Sequence, residues 1–470
     1  MNLITHNTLH YVNSNAQLWL LIIYFVLRIN YSSNRYSIAI KLYVLIIYKL
    51  VMYELEECTM LNTSIGYHTF ALSYKLIDSN HLKSIHKHFL RYQKKNPDMK
   101  SFPITSKNGE HIGWEFFYQN NKGIRWLLLY IWCANSYYYY GLKVIINPKA
   151  LLEKEYIQAA QESDLSAVMK AYNQEASKIS SYIPCFDWLC LNRVDFCINI
   201  DLEELEILCS PDKMMSLIRK GNIPKHFHEM TEYNKKSHRK TSYKNSFYLK
   251  SKSVTINYYD KHSQQQEGHP NFENRELSRN VIRFEVQCKY SKIYQIIHKM
   301  RKELGPEVCR EEFRSLFHHS KLPSALILTN ELSERVTENY FFKIVRKGDY
   351  FTYDLARKII ESYHFKRNKE ERILYALELV KEHGGIAKAK AKLNHIELND
   401  FKKSLRDLDE ILVNPVTIPR RWKIPYIPNL LYAYRDSLYN EIFILEDEYT
   451  ARKKIEAVLS DYQNKSIYEL

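Results

Sequence analysis

Asp195 and Glu285 are the two residues from which a phosphodiester-cleaving chemistry would be built in this sequence. Carboxylates are hard oxygen ligands, the type that Mg2+ or Mn2+ takes together with carbonyls and water. Such an ion polarises a phosphodiester oxygen and steadies a leaving alkoxide. Between the two carboxylates in sequence lies Tyr258-Tyr259-Asp260-Lys261. A tyrosine hydroxyl that attacks phosphorus becomes covalently linked to one DNA end. Free tyrosine ionises near pH 10, at about that value, so it needs help at neutral pH. Lys261 and the ion would supply that help. Arg193 and Arg283, each two residues before a carboxylate, would balance the negative charge or hold the phosphate.

Three strands must position these groups. Residues 253–261, Ser-Val-Thr-Ile-Asn-Tyr-Tyr-Asp-Lys, alternate β-branched or aromatic residues with polar ones. Successive side chains on a strand point to opposite faces. Val254, Ile256 and Tyr258 therefore share an apolar face, while Thr255, Asn257, Tyr259 and Lys261 share a polar one. In residues 191–200 the apolar set is Val194, Phe196, Ile198 and Ile200, and the polar set is Arg193, Asp195, Cys197 and Asn199. Residues 281–288 repeat the design, with Ile282, Phe284, Val286 and Cys288 against Arg283, Glu285 and Gln287. If the three share a sheet, its exposed face carries Asp195, Glu285, Tyr259, Lys261, Arg193 and Arg283. The simpler account is that the two Arg-x-acid pairs are cross-strand ion pairs on a solvated face.

Charge points to the partner. The 470 residues hold 68 Lys+Arg against 53 Asp+Glu, a formal net charge of +15, which favours a polyanion and nucleic acid before a membrane surface. Residues 211–262 alone contain twelve Lys/Arg and four Asp/Glu. Lys235, Lys236, Arg239, Lys240, Lys244, Lys250 and Lys252 lie there, interleaved with Tyr233, Tyr243, Phe247 and Tyr248, which suits phosphate contact with base stacking. The 11 glycines form neither GxxxxGK[ST] nor GxGxxG, against a P-loop ATPase and a dinucleotide fold. Eight cysteines without a CxxC pair point to a reduced, cytoplasmic compartment and no zinc site. The 38 tyrosines, with abundant Ile, Lys and Asn, fit an AT-rich genome, so their number says nothing about a tyrosine enzyme.

Arg-Val-Asp-Phe (193–196), Asn-Tyr-Tyr-Asp-Lys (257–261) and Ile-Arg-Phe-Glu-Val-Gln (282–287), in that order, resemble the replication initiation factor family, the Rep_trans-type initiators of rolling-circle plasmids and mobile elements. In that family an Arg-Ile-Asp strand, a Tyr-[Asp/Glu]-Lys strand and an Arg-hydrophobic-Glu strand build a nicking site. The resemblance covers roughly residues 185–300. It implies an α+β fold, an antiparallel sheet with helices on one face related to the HUH endonucleases. It also implies nicking at an origin through a tyrosine and a divalent metal, Mg2+ or Mn2+. Carried over by position, Tyr259 is the nucleophile and Asp195 and Glu285 are the metal ligands. Tyr258 competes, because Tyr258-x-x-Lys261 has the Tyr-x-x-Lys spacing of other rolling-circle enzymes, but strand parity favours Tyr259. The implied substrate is origin DNA, single-stranded or in a hairpin, with a host helicase and a second copy of the chain as further partners. His226-Phe227-His228 matches the His-hydrophobic-His form of HUH enzymes, yet it sits after Gly221 to Lys225 in loop-like sequence, and this family uses carboxylates.

The remaining chain frames this centre. Residues 1–51 carry two apolar runs, 16–27 and 38–51, each shorter than the about 20 residues that span a bilayer. They read as AT-rich sequence upstream of the true start, with Met52 or Met60 opening the protein, against a hairpin anchor and a membrane-attached protein. Residues 52–320 form the initiator-type domain. Within it 68–77 and 142–146 are strand-like, 114–118 pairs with 124–132, and 151–180 and 201–219 read as helices, the latter with Leu202, Leu205, Leu208, Met215 and Leu217 inward. Residues 321–470 form a helical C-terminal domain. There 371–383, Gly384-Gly385 and 386–393 resemble a helix-turn-helix with Lys388, Lys390 and Lys392 on its second helix. Residues 415–428, with four prolines, read as a linker. The rival to the nicking enzyme is a non-catalytic DNA-binding protein using the basic segment and this helix-turn-helix.

Overall fold

Strand-forming alternation produces most of the ladder that the sequence suggests. The computed structural model describes residues 64–470 apart from 121, 133–137, 155–157, 235–238, 244, 269–277, 305–326, 440–445 and 469–470. The chain divides into two compact units, Met1–Leu61 and Asn62–Leu470. The apolar runs and both candidate start residues lie outside the described residues. The protein is α+β. Its strands are β1 (Ser64–Lys75), β2 (Met99–Thr105), β3 (His111–Tyr118), β4 (Ile124–Trp132), β5 (Tyr138–Ile146), β6 (Cys190–Asp201), β7 (His228–Glu229), β8 (Thr231–Asn234), β9 (Arg239–Ser242), β10 (Ser246–Lys250), β11 (Val254–Asp260) and β12 (Val281–Lys289). Among the described residues one ten-stranded sheet runs in the order β2-β3-β4-β5-β1-β6-β12-β11-β10-β7. Every pairing within it is antiparallel. The expected hairpin of β3 and β4 is there, Gly113 facing Leu129 and Phe117 facing Arg125.

Helices make up the rest, some packed on the apolar face of the sheet and others around a second core that includes Leu355, Ile359, Leu377 and Leu408. They are α1 (Ser79–Lys95), α2 (Pro148–Leu151), α3 (Leu165–Ile179), α4 (Pro211–Ile218), α5 (Lys261–Gly268), α6 (Tyr290–Leu304), α7 (Asn330–Ile344), α8 (Tyr353–Ser362), α9 (Arg367–His383), α10 (Ile386–Lys390), α11 (His395–Glu410), α12 (Leu430–Tyr439) and α13 (Glu446–Tyr468). Phe89 of α1 stacks on Phe116 and meets Trp126 edge-on, and Phe341 of α7 meets Tyr258 and Phe284. Aromatic pairs at these separations add to the area they bury. Among the described residues no helix is long and apolar enough to cross a membrane.

Several expected elements are shorter than their periodicity suggests. Among the described residues, the helix read over 151–180 forms as α3. Ala160 instead pairs its backbone with Tyr67, both N–H···O distances being 3.0 Å, and a capping box between Gln161 and Asp164 starts a new turn. The helix read over 201–219 forms as α4 only, because Pro211 fits a first helical turn and not a helix interior. Leu208, expected inward, is 87% exposed. The proline-rich stretch is no free linker: Val416 and Ile418 are buried, Thr352 bridges Ile418, and β13 (Tyr350–Phe351) pairs with β14 (Tyr426–Ile427). Buried Asn429 seals the junction by donating from Nδ2 to the carbonyls of Arg346, Lys347 and Gly348.

Candidate active site

Register decides which side chains meet. β12 lies between β6 and β11, so the strand of Glu285 separates those of Asp195 and Tyr259. Asn257 faces Glu285 and Tyr259 faces Arg283 across one seam; Glu285 faces Cys197 and Gln287 faces Asp195 across the other. With alternation along each strand, these residues share one face. The Tyr259 hydroxyl reaches diagonally and donates to Glu285 Oε1 at 2.7 Å. Tyr258 points the opposite way. Its ring stacks on Phe284 at 4.3 Å between centroids, and its buried hydroxyl finds no partner. Burial raises its pKa well above the ordinary phenol value.

The face is not the solvated surface that the alternation suggests. Arg283 is completely buried, and Asn199, Asp195, Asn257, Tyr259 and Lys261 are buried as well. The two Arg-x-acid pairs lie within their own strands, Arg193 Nη2 standing 2.9 Å from Asp195 Oδ2 and Arg283 Nη1 3.7 Å from Glu285 Oε1. Arg283 also donates from Nε to Asn199. Asp195 Oδ2 accepts from Thr69 and from Arg193, and Gln287, which faces Asp195 across the seam, also helps to hold the carboxylate. Burial pushes the Asp195 carboxyl up to about 6; Arg193 pulls it down and the neighbouring Glu285 pushes it up again.

Two residues that the alternation did not single out complete this face. β1 and β6 pair Tyr67 with Phe196 and Thr69 with Asp195, which leaves His68 as an extra residue, a β-bulge. The bulge places Thr69 on Asp195 and sets His68 Nε2 4.0 Å from Glu285 Oε1. Burial, then Arg283, Lys261 and Arg193, hold the His68 imidazole well below its usual pKa, so it is neutral at pH 7. The signal was in the sequence. Apolar Tyr67 and Phe70 are separated by two polar residues, a slip in the period of two. Tyr248 on β10 also belongs here, since Glu285 and Asp195 help to raise its pKa after burial does.

Lys261 is not a continuation of the strand. β11 ends at Asp260, and Lys261 opens α5, fully buried, with Nζ 5.9 Å from the Tyr259 ring centroid and donating to Gln264 Oε1 at 3.2 Å. Burial first, and then Arg283, push its pKa well below the normal lysine value. The Tyr259 hydroxyl itself is hydrogen-bonded to Glu285.

The other candidates are dispersed. Lys235, Lys236 and Lys244 lie outside the described residues. Arg239 and Lys240 sit on β9, which pairs with β8 as a separate two-stranded ribbon, and Lys250 and Lys252 are exposed at the end of β10 and beyond. Phe247 is buried against Tyr258 and is not free to stack on a base. His226 and His228 are exposed, and His228 pairs with Lys250, at the opposite end of β10 from Ser246, which faces Tyr259. Of the lysines on the expected reading helix, Lys390 turns inward and donates to Asn222 Oδ1 at 2.6 Å. A cleft of about 480 Å³ lies elsewhere, between Lys220, Tyr353 and Gly384-Gly385, and contains none of the clustered groups.

A divalent ion would need donors here. Among the described residues no three His, Cys, Asp or Glu side chains converge in metal-binding geometry. What the face does offer is the buried carboxylate of Asp195 beside the second carboxylate of Glu285. Two carboxylates with water completing the shell suit Mg2+ or Mn2+.

No family model matches the chain, and no curated protein matches it. Among solved structures, a rolling circle replication initiator protein from Geobacillus stearothermophilus aligns over 50% of this chain and 78% of its own, at 9% identity and a TM-score of 0.26. With so low a score, the chemistry of the face stands on its own geometry.

Proposed function

We propose that the chain is a replication initiator of a rolling-circle mobile element that nicks and rejoins one DNA strand, with Tyr259 as nucleophile on an HUH-related sheet. The observation that carries this is the 2.7 Å hydrogen bond from the Tyr259 hydroxyl to Glu285, a nucleophile and a base in contact. In this reading Glu285 takes the phenol proton as the phenolate oxygen forms its bond to phosphorus. The bond to the leaving DNA oxygen breaks, and that oxygen leaves with the electron pair. Reversal of the same step rejoins the strand. Arg283 and His68 stand beside the Glu285 carboxylate, while Arg193 and Thr69 hydrogen-bond Asp195. Asp195 and Glu285 would hold the divalent ion, which when bound would polarise the phosphodiester. The basic stretch 211–262 would guide the strand to the face. Surface ion pairing, the basis of the non-catalytic alternative, does not suit a fully buried Arg283.

The test is incubation of the full chain with a library of single-stranded and hairpin oligonucleotides in Mn2+. A covalent protein–DNA adduct is expected from the wild type and from Tyr258→Phe, and none from Tyr259→Phe. Absence of any adduct with the wild type would sink the proposal.

A further inference from the structure

α11 is built to hold one face against the protein and present the other. Asn394 caps it, its side chain accepting from the backbone N–H groups of Ile396 and Glu397 at 3.0 Å each, while Glu397 Oε2 accepts from Asn394 N at 2.9 Å. This capping box fixes the first turn. Phe401, Ser404, Leu405 and Leu408 form the buried stripe. Asp407, at its border, is held by Arg372 of α9 at 2.7 Å and by Lys369 at 3.2 Å. With the helix anchored on that side, its outward side is fixed in direction.

The outward stripe has a chemistry of its own. His395, Asn399, Lys402 and Arg406 follow one another at helical spacings of four, three and four, and all are exposed. Exposed Lys403 flanks them. The acidic residues of α11 are mostly turned away from the stripe: Glu397 serves the cap, Asp407 takes Arg372, and Asp409 takes Arg346. Asp400 lies on the flank and Glu410 at the far end. The stripe is thus basic, and its amide and guanidinium are the groups that recognise adenine and guanine edges in a bidentate manner.

The preceding element is held as firmly. Gly384 ends α9 in a left-handed conformation, φ 69°. A side chain at Gly385, φ 148°, would meet the Lys220 carbonyl at 2.9 Å. The Ile386 N–H donates to that same carbonyl at 2.8 Å, and Lys390 holds Asn222. α10 is therefore seated on the chain leaving α4. Exposed Lys388 and Lys392 remain near the start of α11, six and two residues before its cap Asn394.

We propose that α11, not α10, is a duplex-reading helix: His395, Asn399, Lys402 and Arg406 enter the major groove of double-stranded DNA, and Lys388 and Lys392 contact its phosphates. An α-helix fits a groove about 12 Å wide, and two helices joined by a short turn place the second one there. This surface is independent of strand cleavage, and a chain that nicked nothing would still bind duplex through it.

The experiment uses the full chain carrying Tyr259→Phe, so that no covalent trapping intervenes, and selects from a randomised duplex library at fixed salt. An enriched sequence is expected, measured afterwards by fluorescence anisotropy against a scrambled duplex and a single strand. Asn399→Ala and Arg406→Ala should each weaken the selected duplex about tenfold or more and erode its preference over the scrambled one. Lys388→Ala should weaken both duplexes alike. These side chains are exposed, so unchanged melting temperatures will show that the variants fold. Failure to enrich any duplex, wild-type discrimination in the Asn399→Ala/Arg406→Ala double variant, or equal loss on duplex and single strand would overturn the assignment. So would capture of an acidic protein or an RNA through this stripe with no duplex preference. The adduct assay on wild-type protein is separate, so failure of one reading leaves the other standing.

Discussion

Tyr258 and Tyr259 are neighbours in sequence and opposites in surroundings, and the difference is testable through stability as well as chemistry. The Tyr258 hydroxyl is buried without a partner, a cost that Tyr258→Phe removes while keeping the stacked ring. The variant should be as stable as wild type or more stable by up to about 1 kcal/mol in urea denaturation; a clear loss would mean that the hydroxyl is satisfied. Asp195 makes a second prediction. Its folded pKa of about 6 lies above the roughly 3.9 of an unfolded aspartate. The folded protein thus holds this proton more tightly, and the stability from this site is full below the unfolded value and lost as pH rises through about 6. Asp349, also raised to about 6 by burial, adds a slope of the same sign. Asp195→Asn should flatten the pH dependence of the melting temperature between about 4 and 6 without abolishing it, leaving the Asp349 part. Near pH 7.5, Mg2+ or Mn2+ should raise the melting temperature of wild type and not of Asp195→Asn. An equal metal shift in both would remove Asp195 from the ligand set.

Strands were more legible than helices at the scale of the element, for a physical reason. Residues 191–200, 254–260 and 281–289 each bury one face under helices, so the period of two is enforced by the core and readable without it. The stretch 151–180 has helical composition throughout, yet Ala160 is taken into a backbone pair with Tyr67, a contact over ninety residues of separation that no local pattern announces. The same limit explains the reading helix. Periodicity marks helices on either side of Gly384-Gly385, but whether Lys390 faces solvent depends on Asn222, which arrives from another part of the chain. Lys261 shows the limit at its shortest range. One residue beyond the strand, the start of α5 replaces strand parity as the rule for where a side chain goes.

For the molecule as a whole, the candidate site belongs to no single segment. His68, Asp195, Tyr259 and Glu285 come from four strands, and the last of these to be made, β12, is inserted between two earlier ones. Alternation told which residues share a face; it did not tell the order of strands, which rests on ladder pairings between segments far apart in the sequence. It also left burial undetermined, so a face read as exposed proved to hold a fully buried arginine. The net charge of +15 is likewise a property of the whole chain, and several of the lysines that contribute to it near residues 235–244 fall outside the described residues.

The bulge at His68 has a consequence best put in genetic terms. The pairs on either side of it, Tyr67 with Phe196 and Thr69 with Asp195, are already in the phase that an uninterrupted ladder would have. Codon 68 is thus an insertion that the sheet accommodates and does not require. An in-frame deletion of that one triplet should encode a protein that still folds, with its circular dichroism and cooperative melting retained, but that forms adduct slowly because the imidazole beside Glu285 is gone. An unfolded product would show that the extra residue serves the fold itself.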